Sequence, residues 1–312
     1  MESRIYILYE NQDWFDHLKK EMSRFDLEIL PWFVDKLQLD TTVTPPKAVF
    51  VNRLSASSFS RDHNYSLSSG KKLIQWLEVN HRFVVNGRQT IDVERSKWFQ
   101  SQMMQKHGIK NPKTLLVQGG AEELKQSAEA LTFPFVYKYD CGGKGISVSL
   151  IRTQADWEEF LEGKSWKQAP DDAHILQTYI QPNQPKITRC EFIAGKFIYA
   201  INADTSDGFE LCPAEACRIN TCQLDGQAEA SLFSLRSEVP SELIARYEHL
   251  LSDLGISIAG IEFIEGTDGE IYTYDINCNT NYAPDIEAKL GSQSGMRQLA
   301  DYLKALIKED RS

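Results

Sequence analysis

Three oxygen-bearing side chains lie on two neighbouring predicted strands in the last sixth of the chain. Glu262 lies in the predicted strand 258–264, and Asp275 and Asn277 lie two residues apart at the end of the next one. Because side chains alternate along a strand, Asp275 and Asn277 share a face that Glu262 on a paired strand can reach. Such carboxylate and amide oxygens suit magnesium bound with nucleotide phosphates. Taken alone, these residues fit an exposed polar hairpin face equally well.

A glycine-rich segment, PFVYKYDCGGKGISV, is the second chemical signal. A predicted strand presents Lys138 and then gives way to a loop. The loop contains Gly142, Gly143, Lys144 and Gly145. Glycine permits close backbone approach and unusual dihedral angles, so amide N–H groups can face phosphate oxygens while the lysines add positive charge. A surface hairpin with a glycine turn is the plainer alternative.

Strands and helices alternate in the first third of the chain. Buried strands are predicted at 4–9, 48–52 and 82–85, with helical spacing of apolar residues at 14–24 and 73–79. This alternation predicts a parallel sheet covered by helices.

The rest of the chain is predicted to contain adjacent strand pairs and longer helices. The pairs are 135–139 with 146–150, 189–193 with 196–200, and 258–264 with 271–276, with a further strand at 175–180. The helices are 93–107, 243–254 and 285–307. We expect these elements to form two further layers.

The composition and net charge of the chain favour some classes of protein and disfavour others. The 312 residues are 42% hydrophobic and 25% charged, which is typical of a folded globular chain. The formal net charge of −10 disfavours nucleic acid and anionic membranes as partners. No apolar run approaches the roughly 20 residues that span a bilayer, and no signal-peptide pattern opens the sequence, so we expect a cytoplasmic protein.

The combined order of these motifs resembles the ATP-grasp superfamily, especially ligases similar to ribosomal-protein glutamate ligase and D-alanine–D-alanine ligase. The resemblance runs from about residue 92 to the C-terminus and is less specific before it. It implies an α/β protein, α+β in the grasp lobes, with an N-terminal parallel βα domain at 1–92. A central lobe with a glycine-rich lid loop would follow at 93–182, and a C-terminal lobe with the metal site at 183–312. The two lobes would enclose the nucleotide.

The resemblance also implies roles for particular residues in binding ATP. Lys97 and Lys138 look like the two nucleotide lysines, and the glycine-rich loop would cover the phosphates. The segment LQTYI looks like the hinge that recognises adenine, through Gln177, Tyr179 and Ile180. Gln177 stands where members of the family often carry an acidic residue.

Further residues are implied to act on the phosphoryl group. Arg189 resembles the arginine that stabilises the transferring γ-phosphate, and Lys144 would close over the site. Some relatives carry an arginine before their first acidic ligand, where Ala259 and Gly260 stand here, and Arg218 is the candidate substitute. Glu262, Asp275 and Asn277 match the metal ligands, although the two acids occur in the reverse of the usual order.

The implied activity is ATP-dependent joining of a carboxylate to an amine through an acyl-phosphate. The implied cofactors are ATP and one or two Mg²⁺ ions, with Mn²⁺ as an alternative. The partners would be small-molecule carboxylate and amine substrates or a peptide, and a homo-oligomer is left open. Candidate substrate residues are Arg53, Ser57, Asn279 and Asn281. Two alternatives are an ATP-grasp phosphotransferase and an ATP-binding regulatory or peptide-binding protein without ligation.

Overall fold

The described strands of the chain form three β-sheets in the computed structural model. The residues described are 4–143, 145, 147–163, 166–169, 171–206 and 232–309. Among them, no helix is long and apolar enough to cross a membrane. The α/β class expected from the sequence is confirmed.

The first sheet is parallel and has the strand order β2-β1-β3-β4. Its strands are β1 (Arg4–Tyr9), β2 (Ile29–Phe33), β3 (Ala48–Asn52) and β4 (Val84–Val85). Helices α1 (Gln12–Ser23) and α2 (Ser66–Val79) and a 3₁₀ helix at Ala56–Arg61 connect them. Strand β2 was not predicted from the sequence. Its ILPWF sequence is only half-buried and contains a central proline, which an edge strand tolerates.

The central sheet is antiparallel and has the order β5-β8-β6-β7. Its strands are β5 (Thr114–Gln118), β6 (Phe135–Tyr139), β7 (Ser149–Ile151) and β8 (Ala173–Thr178). Helices α5 (Ala121–Ala128) and α6 (Gln154–Glu162) cover one face. Trp157 of α6 is buried against Phe135 and Tyr137 of β6, so the sheet has an aromatic core of its own.

The third sheet is antiparallel and has the order β11-β10-β9-β12-β13. Its strands are β9 (Lys186–Ile193), β10 (Lys196–Asp204), β11 (Phe233–Arg236), β12 (Ala259–Glu265) and β13 (Ile271–Asn277), and α7 (Ser241–Asp253) packs on it. Both hairpins predicted in this region are confirmed. The first and third sheets share one core, because α9 (Gly295–Glu309) contacts strands of both.

Two helices that the sequence predicted as continuous are each divided. The predicted helix 93–107 is α3 (Arg88–Arg95) followed by α4 (Lys97–Lys106), because Ser96 is extended between them and its hydroxyl caps the amide of Phe99 at 3.0 Å. The predicted helix 285–307 is α8 (Pro284–Leu290) followed by α9. There Gly291 has a φ of +56° and ends α8.

Candidate active site

A cleft opens between the central sheet and the third sheet. The glycine-rich loop and the segment after β8 form one wall, and β9, β12, β13 and the loop after β13 form the other. Ligand sites occur preferentially in clefts between packed structural units, so this cleft is the candidate binding site.

The structure brings most of the predicted site residues to this cleft. Those that line it are Lys97, Lys138, Gly142, Gly143, Gly145, Gln177, Tyr179, Ile180, Arg189, Glu262, Asp275, Asn277, Asn279 and Asn281. Arg53 and Ser57 are buried behind the wall rather than lining it. Lys144 and Arg218 lie outside the described residues.

The strand register places three charged residues side by side in the third sheet. Glu262 of β12 pairs directly with Asp275 of β13 on one side and with Arg189 of β9 on the other. Glu262 is buried and accepts hydrogen bonds from the Tyr274 hydroxyl at 2.9 Å and from the Asn277 amide at 3.3 Å. Burial, together with the neighbouring charge of Asp275, raises the pKa of Glu262 to about 7.

A β-bulge explains a hydrogen bond that was not predicted from the sequence. Strict alternation would direct Tyr274 away from the face that carries Asp275, yet Tyr274 binds Glu262. The register between β12 and β13 shifts after Glu262, and such a bulge re-aims the side chains next to it. The sequence contains no clear signal for the position of this shift.

The start of α4 holds Lys97 against the acidic pair. The amide of Lys97 donates to the Asp140 carbonyl at 3.1 Å, and the amide of Trp98 donates to the Asp140 carboxylate at 2.8 Å. The Lys97 ammonium donates to the Asp275 carboxylate. Burial lowers the pKa of Lys97, but the surrounding carboxylates, chiefly Asp275, more than offset that effect and leave the pKa raised. Asp140 therefore positions a cation in the cleft, a role that its sequence context did not indicate.

Lys138 stands on the opposite wall with a neutral partner. It lies on β6, is buried, and donates to the side-chain oxygen of Gln177 at 3.1 Å. The amide nitrogen of Gln177 donates in turn to the Thr114 hydroxyl at 2.8 Å, which fixes the oxygen toward the lysine. Burial, reinforced by the Lys97 charge, lowers the pKa of Lys138 to about 8.

A buried network fixes the Arg189 guanidinium. Its Nε donates to Glu191 at 2.6 Å, one terminal nitrogen donates to the Asn281 carbonyl at 2.9 Å, and Glu191 accepts from the Thr280 hydroxyl at 2.9 Å. A Cβ added at Gly260 would lie 3.1 Å from Cδ of Arg189. A side chain at position 260 would therefore crowd this arginine and force it to shift by a few tenths of an ångström.

Arg53 reaches the loop after β13 from the first sheet. Its guanidinium donates to the Thr280 carbonyl at 2.8 Å and to the Asn281 side-chain oxygen at 2.7 Å. The Asn279 side chain donates back to the Arg53 carbonyl at 2.8 Å. Nearby, the carboxylate of Glu94 accepts from the amide of Cys278 at 2.6 Å. These contacts, formed between residues far apart in sequence, position the two asparagines that line the cleft.

The acidic pair fits a magnesium ion that shares its coordination with a nucleotide. Glu262 and Asp275 are directly opposed, and Asn277 adds an amide oxygen on the same strand. Over the described parts of the chain, no group of three His, Cys, Asp or Glu residues could hold a metal alone. Mg²⁺ is usually held by one or two carboxylates, with phosphate and water oxygens completing six. The donor set therefore fits Mg²⁺ bound with phosphates.

Comparisons with known proteins bear on the family and the fold of this chain. Residues 94–227 match the model of the RimK-like ATP-grasp domain. The structure of a RimK domain ATP-grasp protein from Sphaerobacter thermophilus is similar to this chain with a TM-score of 0.67 and 15% identity, covering 96% of this chain and 99% of that one. No curated protein sequence matches the chain.

Two other solved structures are similar to this chain at low identity. One is D-cycloserine synthetase DcsG, with a TM-score of 0.66, 14% identity and coverage of 97% and 99% of the two chains. The other is the ATP-grasp ligase PsnB complexed with a phosphomimetic variant of its minimal precursor, Mg and ADP, with a TM-score of 0.67, 13% identity and coverage of 98% and 99%.

The chain therefore has the fold of the ATP-grasp proteins, as the sequence predicted. More narrowly, the sequence of residues 94–227 is similar to the RimK-like ATP-grasp domain. The similar structures share 13–15% of their residues with this chain, so they bear on its fold. The roles of the individual cleft residues remain predictions.

Proposed function

We propose that this chain is an ATP-dependent ligase that joins a carboxylate to an amine and releases ADP and phosphate. The observation that carries the proposal is the aligned set of Arg189, Glu262 and Asp275 on three adjacent strands, which line the same cleft as Lys138 on the opposite wall. The RimK-like domain match and the solved ATP-grasp ligases with the same fold support it.

In the proposed complex, the adenine lies against the hinge and the phosphates lie under the glycine-rich loop. The Gln177 side chain is held by Lys138 and Thr114, so adenine recognition would fall to the backbone of the segment 178–180. Gly142, Gly143 and Gly145 bring backbone close to the phosphates, and Lys138 supplies positive charge.

Glu262, Asp275 and Asn277 would hold magnesium. The bound ion would neutralise charge on the β- and γ-phosphates during transfer. Lys97 already bonds to Asp275, so it places an ammonium group at the same end of the cleft. Arg189 uses Nε and one terminal nitrogen within the described residues, which leaves its other terminal nitrogen for an oxygen of the γ-phosphate.

The proposed reaction has two steps. A carboxylate oxygen attacks the γ-phosphorus, the bond from phosphorus to the β,γ-bridging oxygen breaks, and ADP leaves with that electron pair. The amine nitrogen then attacks the acyl carbon, the C–O bond to phosphate breaks, and the nitrogen loses a proton. No protein nucleophile is needed, because positioning and charge neutralisation supply the catalysis.

The substrate side of the cleft faces the first sheet. Among the described residues before position 92, Trp14 is the one that lines the cleft. The Arg61 guanidinium lies 5.4 Å from the Trp14 ring centre. It donates two hydrogen bonds, of 2.5 Å and 3.2 Å, to the carboxylate of the buried Glu10. We place the substrates between Trp14 and the asparagine loop after β13. A peptide would fit the class as well as a small molecule, since PsnB is solved with its precursor.

The test is magnesium-dependent ADP release with amino acids and short peptides, supplied singly and in carboxylate–amine pairs. We expect release to require one particular pair and mass spectrometry to show a condensed product. Asp275→Ala is the blank, and Asp268→Ala is the matched control because Asp268 lies in the exposed turn of the same hairpin.

Isotope transfer separates the ligase from the alternatives. With ¹⁸O in the substrate carboxylate, the acyl-phosphate route transfers one label to the released phosphate. A stable phosphorylated product that accumulates over many turnovers without any amine, and that added amine does not convert to an amide, would instead indicate a phosphotransferase. ATP binding without ADP release from any pair would contradict the ligase proposal for these substrates.

A further inference from the structure

A second groove lies away from the cleft, between α2 and α3. We call it the α2–α3 groove; it is bounded by the two helices, the turn before β4, and Leu254 and Gly255 after α7. Its lining includes five cations and two carboxylates. The chain as a whole carries a net charge of −10, so this positive region is opposite in sign to the average surface.

The two carboxylates of the groove already pair with two of its cations. Lys71 lies 2.5 Å from Asp92, and Nε of Arg88 lies 3.8 Å from Glu78. Two cations of the groove therefore already bind carboxylates that belong to the protein itself. The remaining three cations give it its net positive charge.

These three remaining cations are not neutralised within the described chain. Arg82 donates to the carbonyls of Pro45, Pro46 and Asn80, which are neutral acceptors that hold the guanidinium in place. Lys72 and Arg95 are exposed and form no ion pair with any described residue. An arginine held by backbone carbonyls therefore lies beside two exposed cations.

An apolar surface adjoins the charges. Phe83, which is 52% exposed, and the partly buried Phe99 both line the groove. Val79 at the end of α2 is 70% exposed. Exposed aromatic and aliphatic side chains beside cations suit a polypeptide that carries both acidic and apolar residues.

We propose that the α2–α3 groove binds an acidic polypeptide segment, with carboxylates at Lys72, Arg82 and Arg95 and an apolar side chain on Phe83. The argument is charge complementarity in an otherwise acidic protein, together with the two carboxylates that the groove already holds. The site is separate from the cleft, so the proposal does not depend on the ligase activity.

The test uses a fluorescein-labelled peptide of twelve glutamates with one central phenylalanine, titrated with the full chain and followed by fluorescence anisotropy. We expect saturable binding that weakens as salt is added, because surface charges are screened over about 10 Å at 0.1 M ionic strength. The double substitution Lys72→Glu with Arg95→Glu should weaken binding at least about tenfold, since it removes two attractive charges and adds two repulsive ones.

A matched control changes the same net charge elsewhere. Lys19 on α1 and Lys289 on α8 are exposed and line neither cavity, so Lys19→Glu with Lys289→Glu should leave peptide affinity within about twofold. Far-ultraviolet circular dichroism and ADP binding should be unchanged in both double variants. These readouts show that the fold and the cleft are intact.

Several results would overturn the proposal. One is equal binding by the groove variant and the unchanged protein, and another is an equal loss in the control variant. Equally tight binding of a single-stranded oligonucleotide of the same charge would indicate general anion attraction. Self-association that the groove substitutions abolish would make this surface an interface between copies of the chain.

Discussion

The two walls of the cleft differ in how far protein groups neutralise their charges. On the wall formed by the third sheet, the Asp275 carboxylate is bonded to Lys97 and the Arg189 guanidinium to Glu191. On the wall formed by the central sheet, Lys138 has only the neutral Gln177 as its hydrogen-bond partner within the described residues, and the other described residues that line this wall are uncharged. The charges on the wall of the third sheet are paired within the protein, whereas the charge of Lys138 on the other wall is left for a ligand to balance.

This difference separates the expected effects of substitution. A buried ion pair contributes little net stability, but removing one partner costs about 3–5 kcal/mol because the other charge stays buried. Substitutions that remove one partner of these two ion pairs in the third sheet's wall should therefore affect folding as well as catalysis. Substitutions on the central wall should mainly affect nucleotide binding.

Glu262→Gln should give the largest loss of activity. It removes a charge proposed to hold magnesium, and we expect ADP release to fall by about 10³-fold, similar to the loss of one strong transition-state contact. Its melting temperature should be unchanged or higher, because the substitution relieves repulsion with Asp275. The control is Glu265→Gln near the exposed end of the same strand, which should retain activity within twofold. Full activity in Glu262→Gln would contradict the proposal that Glu262 holds magnesium.

Arg53→Met should destabilise the fold by about 3 kcal/mol in urea unfolding, because it leaves the Thr280 carbonyl and the Asn281 side chain without their charged donor. Combined with Asn281→Ala, the loss should be less than additive by about 1 kcal/mol or more. Strict additivity would show that Arg53 does not act through Asn281. That result would return Arg53 to the role predicted from sequence, direct binding of substrate.

Raising the pH should have opposite effects on stability and nucleotide binding through Lys138. Its pKa of about 8 in the folded chain lies below the ordinary lysine value. Between these values the unfolded chain holds the extra proton, so stability should rise with pH. The affinity for Mg–ADP should fall roughly tenfold from pH 7 to pH 9.5, as the ammonium that faces the phosphates is lost. Lys138→Gln should bind more weakly, and calorimetry should show a flatter dependence on pH.

Local sequence patterns predicted much of the fold and most of the cleft. Glu262, Asp275 and Asn277 were recognisable because strand alternation is a property of neighbouring residues. The family resemblance supplied Lys97, Lys138 and Arg189, which alternation alone does not reveal. Each of these residues lines the cleft.

Features that depend on distant contacts could not be predicted. Arg53 and Asn281 are 228 positions apart, and nothing in either segment indicates that they meet. The break between α3 and α4 depends on Asp140, which accepts the first two amides of α4 from another strand–loop junction. The bulge after Glu262 depends on how two strands pair rather than on either strand alone.

Gly143→Ala should have the smallest effect and should act on the central wall alone. Its added Cβ would lie 3.3 Å from Cβ of Ser57, a tight contact that would shift the loop by a few tenths of an ångström. We expect about threefold weaker Mg–ADP binding and a change in unfolding free energy below about 1 kcal/mol, since volume conflicts at a yielding surface are mild. Ser57→Gly removes the opposing Cβ. The double variant Ser57→Gly with Gly143→Ala should therefore bind Mg–ADP more tightly than the sum of the two single-variant effects predicts. Additive losses would show that the loop does not rest on Ser57, and a large loss of stability would make the central wall as dependent on the fold as the other.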